Sequence, residues 1–261
     1  MPVFRRSLYA GVRTQKERIM KTQLVLLLSL LVLVVGCTTR SISDSGYPGH
    51  GYYGAKQSNP LYKGEISEFD VLGVDTDSNI TDDDIKKAFN ASPSRKLLRK
   101  GDPILLIQSG AMIPDQPMIE QMEKSFSVSV FTGVPEKDKK ENQSYSKSLR
   151  LSAAKAGIGT IVVYWGVLES GIEDLATKSV SWFPIVGSAV PDEAQKMRIR
   201  LKVAVIDVRS GQWEIFTPRT IDDKSYSGRF NREHSDQKQV ALLKATAYEL
   251  ASEGVAARFI K

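Results

Sequence analysis

The densest apolar stretch of this chain lies near its start and does not belong to a globular core. It runs from Leu24 to Val35, twelve residues, with Lys21 ahead of it and Gly36 and Cys37 behind. A spanning helix needs about twenty such residues. A charged start, a short apolar core and a small residue at the end are the layout of a secretory signal. From Thr38 to about Gly64 the apolar period vanishes: glycines recur at 46, 49, 51, 54 and 64 with Ser, Tyr and Pro between them. This composition predicts a flexible tether. A Gly-rich coil of about 27 residues spans roughly 28 Å on average.

Periodic patterning then resumes. Thr81 followed by Asp82, Asp83 and Asp84 predicts the capped, acidic first turn of a short helix. Ile104 to Ile107 is a short apolar run between turn residues, the mark of a buried strand. Asp115 is placed to cap a helix in which Ile119, Met122 and Phe126 share a face. Val128, Val130 and Phe131 predict a second strand. Leu149, Ala153 and Ala156 predict a second helix ending at Gly157. Thr160 to Leu168 is the strongest strand of the chain. The order β-α-β-α-β implies crossovers and parallel strands.

Beyond this point the period changes to two. Ser179 to Val186 is strand-like, but Pro184 suggests an edge or a bulge. Met197, Ile199, Leu201, Val203 and Val205 fall on one side of a strand, and Lys196, Arg198, Arg200 and Lys202 on the other. A turn at Arg209 to Gly211 returns the chain through Trp213, Ile215 and Thr217 as an antiparallel partner. A last helix from about Ser235 to Phe259 carries Val240, Leu243, Ala247, Leu250 and Gly254 on one stripe. The predicted class is therefore α/β with a mixed sheet: β-α-β-α-β, then antiparallel strands, then a long C-terminal helix.

Val34-Val35-Gly36-Cys37 resembles the lipobox of bacterial lipoproteins. The resemblance implies cleavage between Gly36 and Cys37, with the new N-terminal cysteine carrying diacylglycerol and palmitate. It also implies release to the periplasmic face of the outer membrane, because Thr38 rather than Asp follows the cysteine. The signal is complete from Met20, so residues 1–19 read as a start-site extension. The expected division is thus 1–19 extension, 20–36 signal peptide, 37–64 tether and 65–261 one α/β domain in the periplasm.

This division changes the charge argument. The whole chain has 36 basic and 30 acidic side chains. Residues 1–37 hold six of the former and one of the latter, which leaves 30 against 29. A nucleic-acid partner inferred from the total would rest on residues that the processed chain lacks. Cys37 is the single cysteine, so an internal disulfide and a Cys-based metal site are both excluded. The acidic triplet lacks the spacing and the bending glycine of a calcium loop. No metal and no cofactor is expected.

Candidate chemistry is thin. His50 falls in the tether and His234 in a polar stretch before the last helix, and neither belongs to an H-E-x-x-H pair. No G-x-S-x-G elbow and no phosphate-binding loop occurs. A spatially assembled set using His234 stays open as a hydrolase alternative. Asp207, near a strand end, is either an acid of interest or a cap on its turn. Two surfaces are candidates for binding. One is the basic stripe Lys196, Arg198, Arg200 and Lys202, which suits an anionic partner, or else is a solvated face paired with acids. The other is the aromatic set Trp165, Trp182, Trp213, Phe183 and Phe216, which either anchors an interface or fills the core.

Trp182-Phe183-Pro184-Ile185-Val186-Gly187 and Ala204-Val205-Ile206-Asp207-Val208-Arg209-Ser210-Gly211 resemble rhombotarget-type bacterial lipoproteins. The element order is similar to α/β envelope domains: the N-terminal domain of the Tol-Pal translocation protein, the penicillin-binding-protein activator lipoproteins and the curli secretion lipoprotein. The resemblance implies an accessory that binds or assembles another envelope component, a protein or the cell wall, with the membrane engaged through the lipid. A lipid-anchored hydrolase and an oligomeric secretion ring are the alternatives.

Overall fold

The computed structural model describes residues 38–45, 59, 61–74, 80–90, 98–135, 144–174, 193–227 and 232–261. Its centre is where the apolar runs are longest. Strand β2 (Pro103–Gln108) is buried from Ile104 onward on both faces, as expected of a strand covered by helices on each side. It pairs in parallel with β3 (Ser127–Phe131) and with β4 (Thr160–Asp174). β4 then pairs antiparallel with β5 (Glu193–Asp207) along its entire length. β6 (Trp213–Phe216) and β7 (Ile221–Ser227) both return along β5 at different heights. The sheet has seven strands in the order β3-β2-β4-β5-β6, with β1 (Thr38–Ser41) on β4 and β7 on β5.

Helices cover both faces. On one, α3 (Gln116–Glu123) and the long α5 (Arg232–Phe259) bury Met118, Met122, Val240, Leu243, Ala247 and Val255 against Leu106, Val162 and Val203. On the other, α4 (Tyr145–Lys155) and α1 (Glu68–Leu72) bury Leu149, Ala153 and Val71 against Leu105, Ile107 and Ile161. The mixed α/β class with its long C-terminal helix is as the periodicity predicts. A short exposed helix, α2 (Asp82–Asn90), starts as expected. Thr81 and Asp84 bond reciprocally through backbone and side chain, a capping box.

Several expectations need correction. The tether was expected to begin straight after Cys37. Instead Thr38 to Ser41 form β1, antiparallel to Val167–Ser170. A 3-10 turn (Ile42–Asp44) follows, and Ile42 is 1% exposed in the core. Gly166 makes this possible. A Cβ at that mid-strand position would stand 2.6 Å from both Ile42 Cδ1 and Leu201 Cδ2. The bare backbone leaves the gap that Ile42 enters. Asn59 donates to Asp44 and to the Ser43 carbonyl, so the later part of the expected tether is also fastened at a point.

The stripe on α5 also drifts from the expected one. Tyr248, Ala251 and Val255 are buried and Leu250 is not, because a 3.6-residue period carries the face round along so long a helix. Val130 and Phe131 are exposed, since β3 lies at the sheet edge. Residues 46–58, which include His50, and the strand expected at Ser179 to Val186 lie outside the described residues.

Candidate functional site

The basic stripe forms as the alternation predicts. Lys196, Arg198, Arg200 and Lys202 are all exposed on one face of β5. Arg198, Arg200 and Lys202 meet acids. Arg200 pairs with Glu169 on β4, Arg198 with Asp222 on β7, and Lys202 with Glu68 of α1 at 2.9 Å. Exposed pairs of this kind are worth about 0–1 kcal/mol each. Their consequence is electrostatic: the stripe's charge is largely met by the protein itself. Asp207 accepts from the Ser210 backbone and hydroxyl, at 2.7 and 2.9 Å, and so fixes the β5–β6 turn. Trp165 is half-buried, with Nε1 donating to the Ile66 carbonyl at 2.9 Å. Phe216 is buried, whereas Trp213 is exposed. Gly36, Cys37, Trp182, Phe183 and the His234 side chain lie outside the described residues.

A second arrangement, unmarked in the sequence, occupies the carboxyl end of β2. Open parallel sheets place their binding crevices at such ends. Gln108, the last residue of β2, is fully buried and bonded on both sides of its amide. Its Oε1 accepts from the Tyr164 hydroxyl at 2.5 Å and from the Asp115 backbone N–H at 2.7 Å. Its Nε2 donates to Ser43 Oγ at 3.0 Å, and that hydroxyl donates to the Ser109 carbonyl. The Ser109 hydroxyl accepts from the Ile66 N–H. Three other chain segments, through Ser43, Asp115 and Tyr164, thus converge on one buried amide.

Asp115 stands at the outer edge of this network. It precedes α3 as the sequence suggests, yet its carboxylate does not cap the helix. Oδ2 instead accepts from Lys244 Nζ at 2.8 Å and from the Tyr248 hydroxyl. Lys244 also donates to the Ser45 carbonyl at 3.2 Å. Lys244 and Tyr248 are one turn apart on α5, so a single helix face supplies both donors. Tyr164 and Tyr248 meet edge to face at 5.8 Å between ring centres.

Beside this network lies a cavity of about 480 Å³, within the range of small-ligand sites. Leu61, Met112 and Ile113 stand at it, 57%, 60% and 64% exposed, with Lys244 and Asp115 in its polar wall. Both donors of α5 are engaged on the Asp115 carboxylate, so the arrangement suits holding a ligand or side chain. Among the described residues no group of three or more His, Cys, Asp and Glu is placed to hold a metal.

Burial pushes the phenol pKa values of Tyr164 and Tyr248 well above the ordinary value, and the Asp115 charge adds to the rise in both. The folded state therefore holds these protons longer than the unfolded chain does. The stability they contribute is complete below pH about 10 and is lost as pH rises beyond it. Each tyrosine is expected to remove about 1.4 kcal/mol per pH unit there. Denaturant midpoints measured from pH 9 to 11 should fall steeply, and Tyr164→Phe should flatten that fall. An unchanged slope in that variant would contradict the burial of its hydroxyl.

Two sequence signals were available for this site. A Gln-Ser pair ends an otherwise apolar buried strand, and Lys244 interrupts the core-facing stripe of α5. Neither indicates its partner.

A family model described as YafT bacterial lipoprotein matches residues 67–258, well over half of the chain. The resemblance to bacterial lipoproteins is thereby borne out. Among curated proteins there is no match. Among the 18 solved chains that match in part are two of different kinds. One is a leucine-to-methionine variant of the PelC dodecamer from Paraburkholderia phytofirmans, 13% identical, covering 65% of this chain and 96% of that one with a TM-score of 0.30. The other is a putative neuraminyllactose-binding hemagglutinin homolog from Helicobacter pylori, 14% identical, covering 66% and 91% with a TM-score of 0.29. Scores of this size do not establish a shared fold. Among the described residues no helix is long and apolar enough to cross a membrane.

Proposed function

Since the chain belongs to the YafT family of bacterial lipoproteins, a family of the cell envelope, we propose that it is anchored by lipid on Cys37 to the periplasmic face of the outer membrane. There it binds or helps assemble another envelope component and catalyses no reaction. The address rests on the Val34-Val35-Gly36-Cys37 motif and on Thr38 at the position after it.

The observation that carries the binding role is the cavity at the carboxyl end of β2. Its apolar rim of Leu61, Met112 and Ile113 is exposed, and such rims suit a protein partner's side chain. The polar wall supports binding over turnover, because the Asp115 carboxylate is already held by Lys244 and Tyr248.

Cys37→Ala is expected to abolish lipid attachment. The variant should run as a larger, unprocessed form, and globomycin should have the same effect on the unaltered chain. Unchanged size and unchanged fractionation in both experiments would overturn the anchor. For the binding role, a photo-crosslinker at Met112 in living cells should trap one envelope protein, and Ile113→Asp should abolish that adduct. An adduct indifferent to Ile113→Asp would remove the cavity from the reading.

A further inference from the structure

We propose that the folded domain sits directly on the lipid surface, with the β1 edge of its sheet among the headgroups. This rests on the lipidated Cys37 of the preceding reading. A tether of the kind the composition suggests would hold the domain roughly 28 Å away. The structure removes that slack. Thr38, bonded to Cys37 in the chain, is already in register with Ser170 of β4. One Cα–Cα step of about 3.8 Å is all that separates the acylated residue from the sheet.

The attachment of β1 is firm. Ile42 is 1% exposed and packs in the gap at Gly166. Ser43 is bonded to Gln108 and Ser109 at the centre of the fold. Asn59 holds the same turn from outside, donating to Asp44 and Ser43. Peeling β1 away to regain a tether would expose Ile42 and break the buried amide network. The lipid therefore pulls on the sheet itself.

The direction of the sheet follows from its charges. β4 and β5 continue past the level of Thr38 from Ser170 to Asp174 and back from Glu193 to Met197, roughly 13 Å of strand. That extension includes Glu173, Asp174, Glu193 and Lys196. Charged residues are not carried into the hydrocarbon, so the strands do not plunge end-on into the bilayer. They run along it, with β1 facing it; among the described strands β1 pairs only with β4, which leaves its other edge toward the headgroups. The nearby cations Arg198 and Arg200 are met by Asp222 and Glu169, so adhesion comes from the acyl chains and depends little on anionic lipid.

The test uses the mature lipidated protein, purified from membranes and reconstituted into vesicles of phosphatidylethanolamine and phosphatidylglycerol. Cys37 is the only native cysteine and its sulfur is acylated, so an added cysteine takes a fluorophore alone. Thr39→Cys labels β1, the strand that faces the headgroups. Asp223→Cys labels β7, three strand spacings or roughly 14 Å from β1 across the sheet. A quencher fixed on the lipid headgroups is expected to quench the first label several-fold more than the second. A Gly/Ser insertion of about twelve residues between Thr38 and Thr39, reaching roughly 19 Å, should bring Thr39 down to the level of Asp223. Equal quenching of the two labels without the insertion, in protein that sediments with the vesicles, would overturn the proposal and leave the lipid anchor standing. Protein that fails to sediment with vesicles would overturn both.

Discussion

Asp115→Ala is expected to lower the stability of the domain by about 3 kcal/mol, or roughly 6–12 °C in midpoint for a domain of this size. Truncating the carboxylate leaves Lys244, whose side chain is 12% exposed, without its counter-charge. It also leaves the fully buried Tyr248 hydroxyl without its acceptor. Losing one partner of a buried pair costs roughly 3–5 kcal/mol, and the 28% exposure of Asp115 places this case at the low end. The informative measurement is a double-mutant cycle. Lys244→Met should cost less in the Asp115→Ala background than alone, because the stranded ammonium goes with it. Strictly additive effects would show that the pair is uncoupled and that water serves both groups equally well. Asp115→Asn, which keeps an acceptor oxygen but not the charge, should fall between the parent and the alanine variant.

This pair also shows what the sequence could and could not disclose. The parallel centre, the long β4–β5 pairing and the C-terminal helix were legible because each buries a face, and burial leaves a period in the chain. β5 is the clearest case: Met197, Ile199, Leu201, Val203 and Val205 all turn inward as their spacing requires. β1 was not legible. Thr38 to Ser41 has no apolar alternation, and what fixes it is a void at Gly166, 128 residues downstream of Thr38. A tether and an edge strand of small polar residues look alike in composition. β7 was missed for a related reason, since Ile221 to Ser227 carries two acids and a lysine and lies on the outer side of β5.

The site at the end of β2 was invisible on other grounds. Asp115 and Lys244 are 129 positions apart, and hydrogen bonds leave no period. Asp115 was expected at a helix start and is found there, but local rules assign its carboxylate to the helix. The structure gives it to α5, because the two charge-assisted and phenolic donors of Lys244 and Tyr248 outweigh one backbone amide. The basic stripe illustrates the converse. Its geometry was fully legible in the alternation, and its charge was not, because Glu68, Glu169 and Asp222 come from three other elements.

Gly133→Ala is expected to be at least as damaging as loss of Asp115, at about 3 kcal/mol or more, for a purely steric reason. A Cβ at this position would stand 1.8 Å from the Gln108 carbonyl oxygen and 2.6 Å from its carbon. Both are backbone atoms, so no rotamer change relieves the clash. Overpacking costs typically 1–3 kcal/mol when side chains can adjust, and more when they cannot. The displaced strand end is the one that matters. Gly110 donates to the Gly133 carbonyl and Gly133 donates to the Ala111 carbonyl, both at 2.8 Å, so the two loops are laced together. Pushing them apart moves Gln108 away from Tyr164, Ser43 and Asp115 together, and with it the wall of the cavity. Gly157→Ala is the control. Gly157 has a positive φ of 75° but nothing within 4 Å of the added carbon, so only the backbone penalty of about 1 kcal/mol applies. Thermal midpoints of the two variants should therefore separate clearly, with Gly133→Ala the lower. Equal midpoints would mean that the loops after β2 and β3 yield freely, and that the buried amide network does not hold them.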